Sequence, residues 1–316
     1  MDRKQVLDGE TAPGGRQPAP DRHAPAVVLG PTRYGKAEVR IVRVTRGAAE
    51  HALKDLNVSI ALSGDQADTH LTGDNAKVLT TDAQKNAVYA LAKRHGVASA
   101  EQFALLLAQH FLTTCPYITH ARIGIEEYGW DRIPGAESRH SFVRGGRETR
   151  TALVHADADG ASRVVSGLKD LVVLNTAGSE FHGFYEDEYT TLAETSDRVL
   201  ATAIDARWRR GGAAGEPDWD KSYARARAAL MTAFADTHSL SLQQTLYAMG
   251  RRLLEHDDAI AEARLTLPNR HHVAVDLAPF GLTNDNEVFH AADRPYGLIE
   301  GSLARRGEPP DPAAWQ

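Results

Sequence analysis

The chain has 316 residues, 42% hydrophobic and 25% charged, a balance that supports a packed core and excludes wholesale disorder. A formal net charge of −6 leaves no basic surplus to neutralise phosphates, so a nucleic-acid partner is excluded. No apolar run approaches the ~20 residues that span a bilayer, which excludes a membrane partner.

The opening MDRKQVLDGE lacks the apolar segment of a secretory leader, so secretion is not expected. Residues 1–28, with Pro13, Pro18, Pro20 and Pro25 and little to bury, read as a flexible tail. RYGK follows, with Lys36 leading into a strand, AEVRIVRV. Lysine supplies eight of the 36 basic residues, so Lys36 reads first as a surface residue and second as a deprotonatable amine. DLNVSIAL puts Leu56, Val58, Ile60 and Leu62 on one face of a half-buried strand. In VLTTDAQKN, Thr81 and Asp82 open a helix that ends on Gly96. Free N–H groups at its start could hold an anion, although simple capping explains the same residues. Ser99 and Gln102 form a capping box before Phe103, Leu106, Leu107, His110 and Phe111 at helical spacing.

The single cysteine, Cys115, closes that helix and reads as a small buried thiol. With no HExxH or CxxC pattern, a zinc site has no local support, leaving only a histidine cluster drawn from distant segments. THARIGI, ETRTALVHA and LVVLN alternate as further strands, and RRGGAAGEPDW at 209–219 reads as a loop.

An internal repeat organises these elements. Residues 97–123 align without gaps to 239–265, an offset of 142, since Arg122 maps to Arg264 (264 − 122 = 142). Ser241 and Gln244 recreate the capping box, and Ile260 and Ala263 match Ile118 and Ala121. The expected fold is therefore α+β, two ββααββ units at 29–160 and 161–304, with helices on one face of antiparallel sheets. The ending 305–316, RRGEPPDPAAWQ, is expected to be a second flexible tail. In LPNRHHVAVDL, Asn269 and His271 share a strand face with Leu265, Leu267, Val273 and Val275. A paired Asn and His in line with core positions needs partners, so this stretch is a candidate site.

The chain resembles urate oxidase (uricase), of the tunnelling-fold superfamily. The resemblance rests on YGK at 34–36, GDNAKVLTTDAQKN at 73–86, KDLVVLNTAGSEFHGFYEDEYTTL at 169–192, ETSDRVLAT at 194–202, SLQQTLYAMG at 241–250 and LPNRHHVAVDL at 267–277. It implies a homotetrameric barrel with active sites at subunit interfaces. It also implies oxidation of urate by O₂ and water to 5-hydroxyisourate and hydrogen peroxide, with no metal and no organic cofactor. Carried over by position, Lys36, Thr81 and His271 form the catalytic proton relay. Phe181 stacks on the purine, Arg198 and Gln243 clamp one edge with the Leu242 N–H, Asp82 offers its N–H to the opposite edge, and Asn269 faces the oxygen site. The ending AAWQ departs from the peroxisomal address of many relatives, so a bacterial cytoplasm is expected. The alternatives are a pterin or purine enzyme of the same fold, of the cyclohydrolase or aldolase type, and a silent scaffold. A ring-anchoring glutamate and a zinc site are wanting for the first, and the intact Lys36, Thr81 and His271 disfavour the second.

Overall fold

The computed structural model describes residues 27–47, 50–135, 137, 139–211 and 217–316, with the Asp293 side chain left out. The chain divides into residues 1–32 and 33–316. Of the first unit only 27–32 are described, and they carry no regular structure. The expected tail at 1–28 thus lies almost wholly outside the described residues.

The second unit runs β1 (Val39–Arg46), β2 (His51–Gly64), a one-turn helix α1 (Ala67–Leu71), α2 (Thr81–His95), α3 (Ala100–Thr114), β3 (Ile118–Arg132) and β4 (Phe142–Asp157). It then repeats the pattern as β5 (Ser162–Asn175), β6 (Leu200–Arg210), α4 (Trp219–Asp236), α5 (Leu242–His256), β7 (Ile260–Ala274) and β8 (Phe289–Ala304). The offset of 142 survives to the residue, from the start of α3 to that of α5 (242 − 100 = 142) and from β3 to β7 (260 − 118 = 142). Among the described residues the eight strands pair antiparallel in sequence order within one sheet, β4 joining β5 across the repeat boundary.

Each repeat buries its own core beneath its helices. Leu56, Val58, Ile60 and Leu62 alternate inward on β2 and pack with Val88 of α2 and Phe103, Leu107 and Phe111 of α3. Cys115 is buried among them, a free thiol used as a small apolar filler. In the second repeat Ile204, Trp208, Leu265 and Leu267 face Leu230 and Phe234 of α4 and Met249 and Leu253 of α5. Both serines cap their helices, Ser99 Oγ accepting from the Gln102 N–H at 3.1 Å and Ser241 Oγ from the Gln244 N–H at 3.2 Å, while the returning Gln244 side chain accepts from the Leu240 N–H at 2.8 Å instead of from its own cap residue. A buried ionic tie joins the repeats. Glu101, fully buried, accepts from Arg150 and from Ser166, each at 2.7 Å, and Arg150 also donates to Asp220 at 2.5 Å.

The ending corrects the sequence reading: residues 305–316 are docked, not a free tail. Trp315 is only 8% exposed and packs with Val165 and Leu153 on the face of the sheet opposite the helices. The Arg264 guanidinium lies 4.1 Å from the Trp315 ring centroid, and Arg163 pairs with Asp311 at 2.9 Å. Arg209 donates to the Pro309 carbonyl at 3.1 Å and Arg122 to that of Gln316 at 2.6 Å. The Pro-rich, polar composition points to a free tail, but one buried indole is enough to anchor the segment. Trp315→Ala is expected to cost about 3 kcal/mol of stability, read as a fall in the thermal midpoint. An unchanged midpoint would show the docking to be dispensable.

Candidate active site

The connection from β5 to β6 spans residues 176–199 with no helix or long strand, and it carries two candidate residues. It is shaped by short pairings. Phe181 and Thr195 exchange backbone hydrogen bonds at 2.8 and 3.0 Å, which folds the loop on itself and presents the Phe181 ring. Phe184 stacks on that ring with centroids 5.1 Å apart. Ser179 pairs in parallel with Ser239, two residues before the cap of α5, so the loop is sewn to the helix start.

Against this loop lies a cavity of about 730 Å³, lined by Phe181, Arg198, Leu242, Gln243, Asn269 and His271. Six of the nine sequence-assigned residues therefore meet in one place, drawn from the β5–β6 connection, the start of α5 and β7. Asn269 and His271 do not sit in the core as their alternation implied. Leu265 and Leu267 are buried, but by His271 the strand has run past α5 into the open, and Val273 is 57% exposed. The β7–β8 register also shifts between Asn269 and His271, next to the cavity.

Arg198 is the electrostatic centre of this half. Its guanidinium lies 5.0 Å from the Phe181 centroid, and its Nε donates to Ser179 Oγ at 3.2 Å. Burial alone pulls its pKa below the ordinary guanidinium value, and among the described residues no carboxylate forms an ion pair with it. A half-desolvated cation without a counter-ion favours an anionic ligand. The α5 start adds donors. Ser241 takes the N–H of Gln244 on its hydroxyl and that of Thr245 on its carbonyl, leaving those of Leu242 and Gln243 outside the helix's own bonding.

The remaining three residues assemble elsewhere, at the first repeat's edge, and none of them lines this cavity. Residues 34–36 run beside β2, Tyr34 exchanging hydrogen bonds with Leu62 and the Lys36 carbonyl accepting from Ile60 at 2.8 Å. Lys36 thus leads into β1, as the sequence indicates. Gly35 is obligatory here, since a Cβ would sit 1.8 Å from the Ile60 carbonyl oxygen. The Tyr34 hydroxyl accepts from the Leu79 N–H at 3.0 Å, holding the α2 start beside this segment. Thr80, not Thr81 or Asp82, caps α2, its hydroxyl accepting from Ala83 at 3.1 Å. Thr81 is left uncommitted. The Asp82 carboxylate turns along the helix to Lys85 at 2.5 Å and Asn86 at 2.9 Å, and Lys36 adds to the positive charge that lowers its pKa. Its backbone N–H remains outside the helix ladder.

Another concavity, of about 460 Å³, lies on the sheet face away from the helices. Lys169 pairs there with Glu126 at 2.7 Å, Arg264 with Glu262 at 3.0 Å, and Arg122 donates to the Gln316 oxygen at 2.6 Å, but none of the nine sequence-assigned residues lines it. Among the described residues no group of three His, Cys, Asp or Glu could hold a metal ion. No helix there is long and apolar enough to cross a membrane.

Sequence reasoning missed Ser179, Ser239 and Thr245, all fully buried around the loop–helix seam. Small hydroxyl residues give no periodic signal, and only the SEF and SLQQ neighbourhoods hinted at them.

The tandem α+β chain thus brings an arginine with no carboxylate partner among the described residues, the N–H groups of a helix start and an aromatic ring to one cavity, an arrangement of the class that binds anionic ligands in enzymes. A family model described as uricase matches residues 32–155 and 164–300. The chain is 50% identical over 289 residues to the uricase of Arthrobacter globiformis, covering 92% of this chain and 94% of that protein. It is 37% identical over 278 residues to the uricase of Dictyostelium discoideum, covering 86% and 96% respectively. The crystal structure of uricase from Arthrobacter globiformis superposes with a TM-score of 0.87 at 49% identity, covering 92% of this chain and 99% of that one. The chain belongs to the uricase family.

Proposed function

We propose that this chain oxidises urate with O₂ and water to 5-hydroxyisourate and hydrogen peroxide, without a metal or organic cofactor. The observation that carries the reading is Arg198, half-buried without a carboxylate partner, beside Phe181 and Gln243 in one cavity. In the reaction urate gives up two electrons to O₂, which leaves with two protons as hydrogen peroxide. Water supplies the hydroxyl added to the ring. The protein must remove a proton from the urate anion, hold the flat ring, and stabilise charge as it moves.

Phe181 is the platform on which the ring stacks. Arg198 and the Gln243 side chain, with the Leu242 N–H, clamp one edge. The Asp82 N–H meets the opposite edge, and Lys36, Thr81 and His271 relay the proton. Asn269 faces the space above the ring where O₂ and then water bind. These roles divide into two groups within one chain, and the pocket that holds Arg198 is not lined by Lys36, Thr81 or Asp82. That division supports a homotetramer in which each pocket is completed by Lys36, Thr81 and Asp82 of a neighbouring copy. The two repeats are taken as residues 29–160 and 161–304, and each contributes one helix start to the pocket.

Purified protein given urate should consume oxygen and release peroxide in equal amounts, and exhaustive chelation should leave the rate unchanged. A rate that vanishes on chelation and returns with one added metal ion would overturn the cofactor-free reading. No oxygen uptake with urate would overturn the activity itself.

A further inference from the structure

Ser179 carries no role in the reaction as drawn above, yet it grips Arg198 twice. Its carbonyl accepts the Arg198 backbone N–H at 2.9 Å, and its hydroxyl accepts the Nε–H at 3.2 Å. Ser179 is itself fully buried, so this acceptor is not shared with solvent. A guanidinium can meet a ligand side-on, through Nε and one Nη, or end-on, through both Nη groups. With Nε committed to Ser179, only the end-on fork remains for the cavity.

The seam behind Ser179 fixes where that fork points. Glu180 N donates to the Ser239 carbonyl at 2.7 Å, and Ser239 N donates to the Gly178 carbonyl at 2.9 Å. Thr245, inside α5, donates its hydroxyl to Ser239 Oγ at 2.8 Å, and Ser239 Oγ donates to the Ser241 carbonyl at 3.1 Å. The arginine and the helix start that bears Gln243 are therefore parts of one buried, hydrogen-bonded frame.

We propose that Ser179 is a positioning residue for the urate clamp: it holds Arg198 in the end-on orientation and keeps its fork in register with Gln243. A ligand then gains fully from Arg198 only if it presents two adjacent in-plane acceptors to the fork. The urate anion does so through a carbonyl oxygen and the neighbouring deprotonated ring nitrogen. This inference rests on the reading of Arg198 as the clamp.

The test measures urate affinity without oxygen, so that binding is separated from turnover, and KM and kcat with oxygen present. Ser179→Ala is expected to weaken anaerobic binding and raise KM about tenfold, with kcat changed less than about twofold. In an Arg198→Ala background the same substitution should change affinity less than about twofold, because its effect passes through the arginine. Should Ser179→Ala fail to fold, Ser179→Cys keeps the side-chain shape with a weaker acceptor and should shift affinity in the same direction. Parent-like affinity in a folded Ser179 variant would overturn the proposal. So would an equal loss in both backgrounds, which would mark Ser179 as merely structural. If Arg198→Ala weakens binding and Ser179→Ala does not, this inference alone falls. Parent-like binding by Arg198→Ala would sink the reading of the pocket as well.

Discussion

Arg198→Lys is expected to weaken urate binding by about 2–3 kcal/mol, roughly 30- to 150-fold, although the charge is kept. A lysine ammonium is a point donor and cannot offer two parallel N–H groups to adjacent acceptors in the ring plane. It would also abandon the Ser179 hydroxyl, which now receives the arginine Nε–H at 3.2 Å, and the contact 5.0 Å above the Phe181 ring. Gln243→Ala should cost less, on the order of 1–3 kcal/mol, because the neighbouring backbone donors survive. Anaerobic titration with urate checks both. Two variants that bind as the parent does would show that the cavity beside α5 is not the urate pocket.

Thr81→Ala and His271→Ala should each nearly abolish turnover alone, and recover part of it when mixed. The expectation follows from the division of the site, since Thr81 belongs to the α2 start and His271 lines the cavity at the far repeat. In assemblies formed by co-expression, some pockets draw Thr81 from the His271→Ala chain and His271 from the Thr81→Ala chain. Random mixing in equal amounts makes about a quarter of the pockets intact, so activity should rise toward that fraction of the parent's. Mixed assemblies that form but stay as inactive as the single variants would place both residues in one chain's pocket. The shared site would then be wrong, while urate oxidation by this chain would stand.

Much of the architecture was legible in the amino acids because it depends on local periodicity. The alternation of Leu56, Val58, Ile60 and Leu62 marks a strand with one buried face, and the Ser-Gln pairs at 99 and 241 mark helix starts. The 142-residue offset could be read directly, since a duplicated unit must bury the same positions twice. Elements without such signals were less visible. The hydroxyl seam of Ser179, Ser239 and Thr245 is buried by a loop crossing a helix start 60 residues away (239 − 179 = 60), which no window of sequence spans.

The sequence by itself determined the family, the tandem α+β plan and the residue types available for chemistry, because motif order and hydrophobic pattern are written along the chain. Only the tertiary structure decided how those residues group. It moved the cap of α2 from Thr81 or Asp82 to Thr80, which frees the donors that follow. It docked the ending around Trp315 on the bare sheet face, where a single indole finds Arg264 and Val165. It gathered Phe181, Arg198, Gln243 and His271 around one cavity and left Lys36 and Thr81 at another edge. The physical reason is common to all three. Desolvation and hydrogen-bond satisfaction act between segments distant in sequence, so their outcome is settled by which surfaces meet when the sheet closes over its helices.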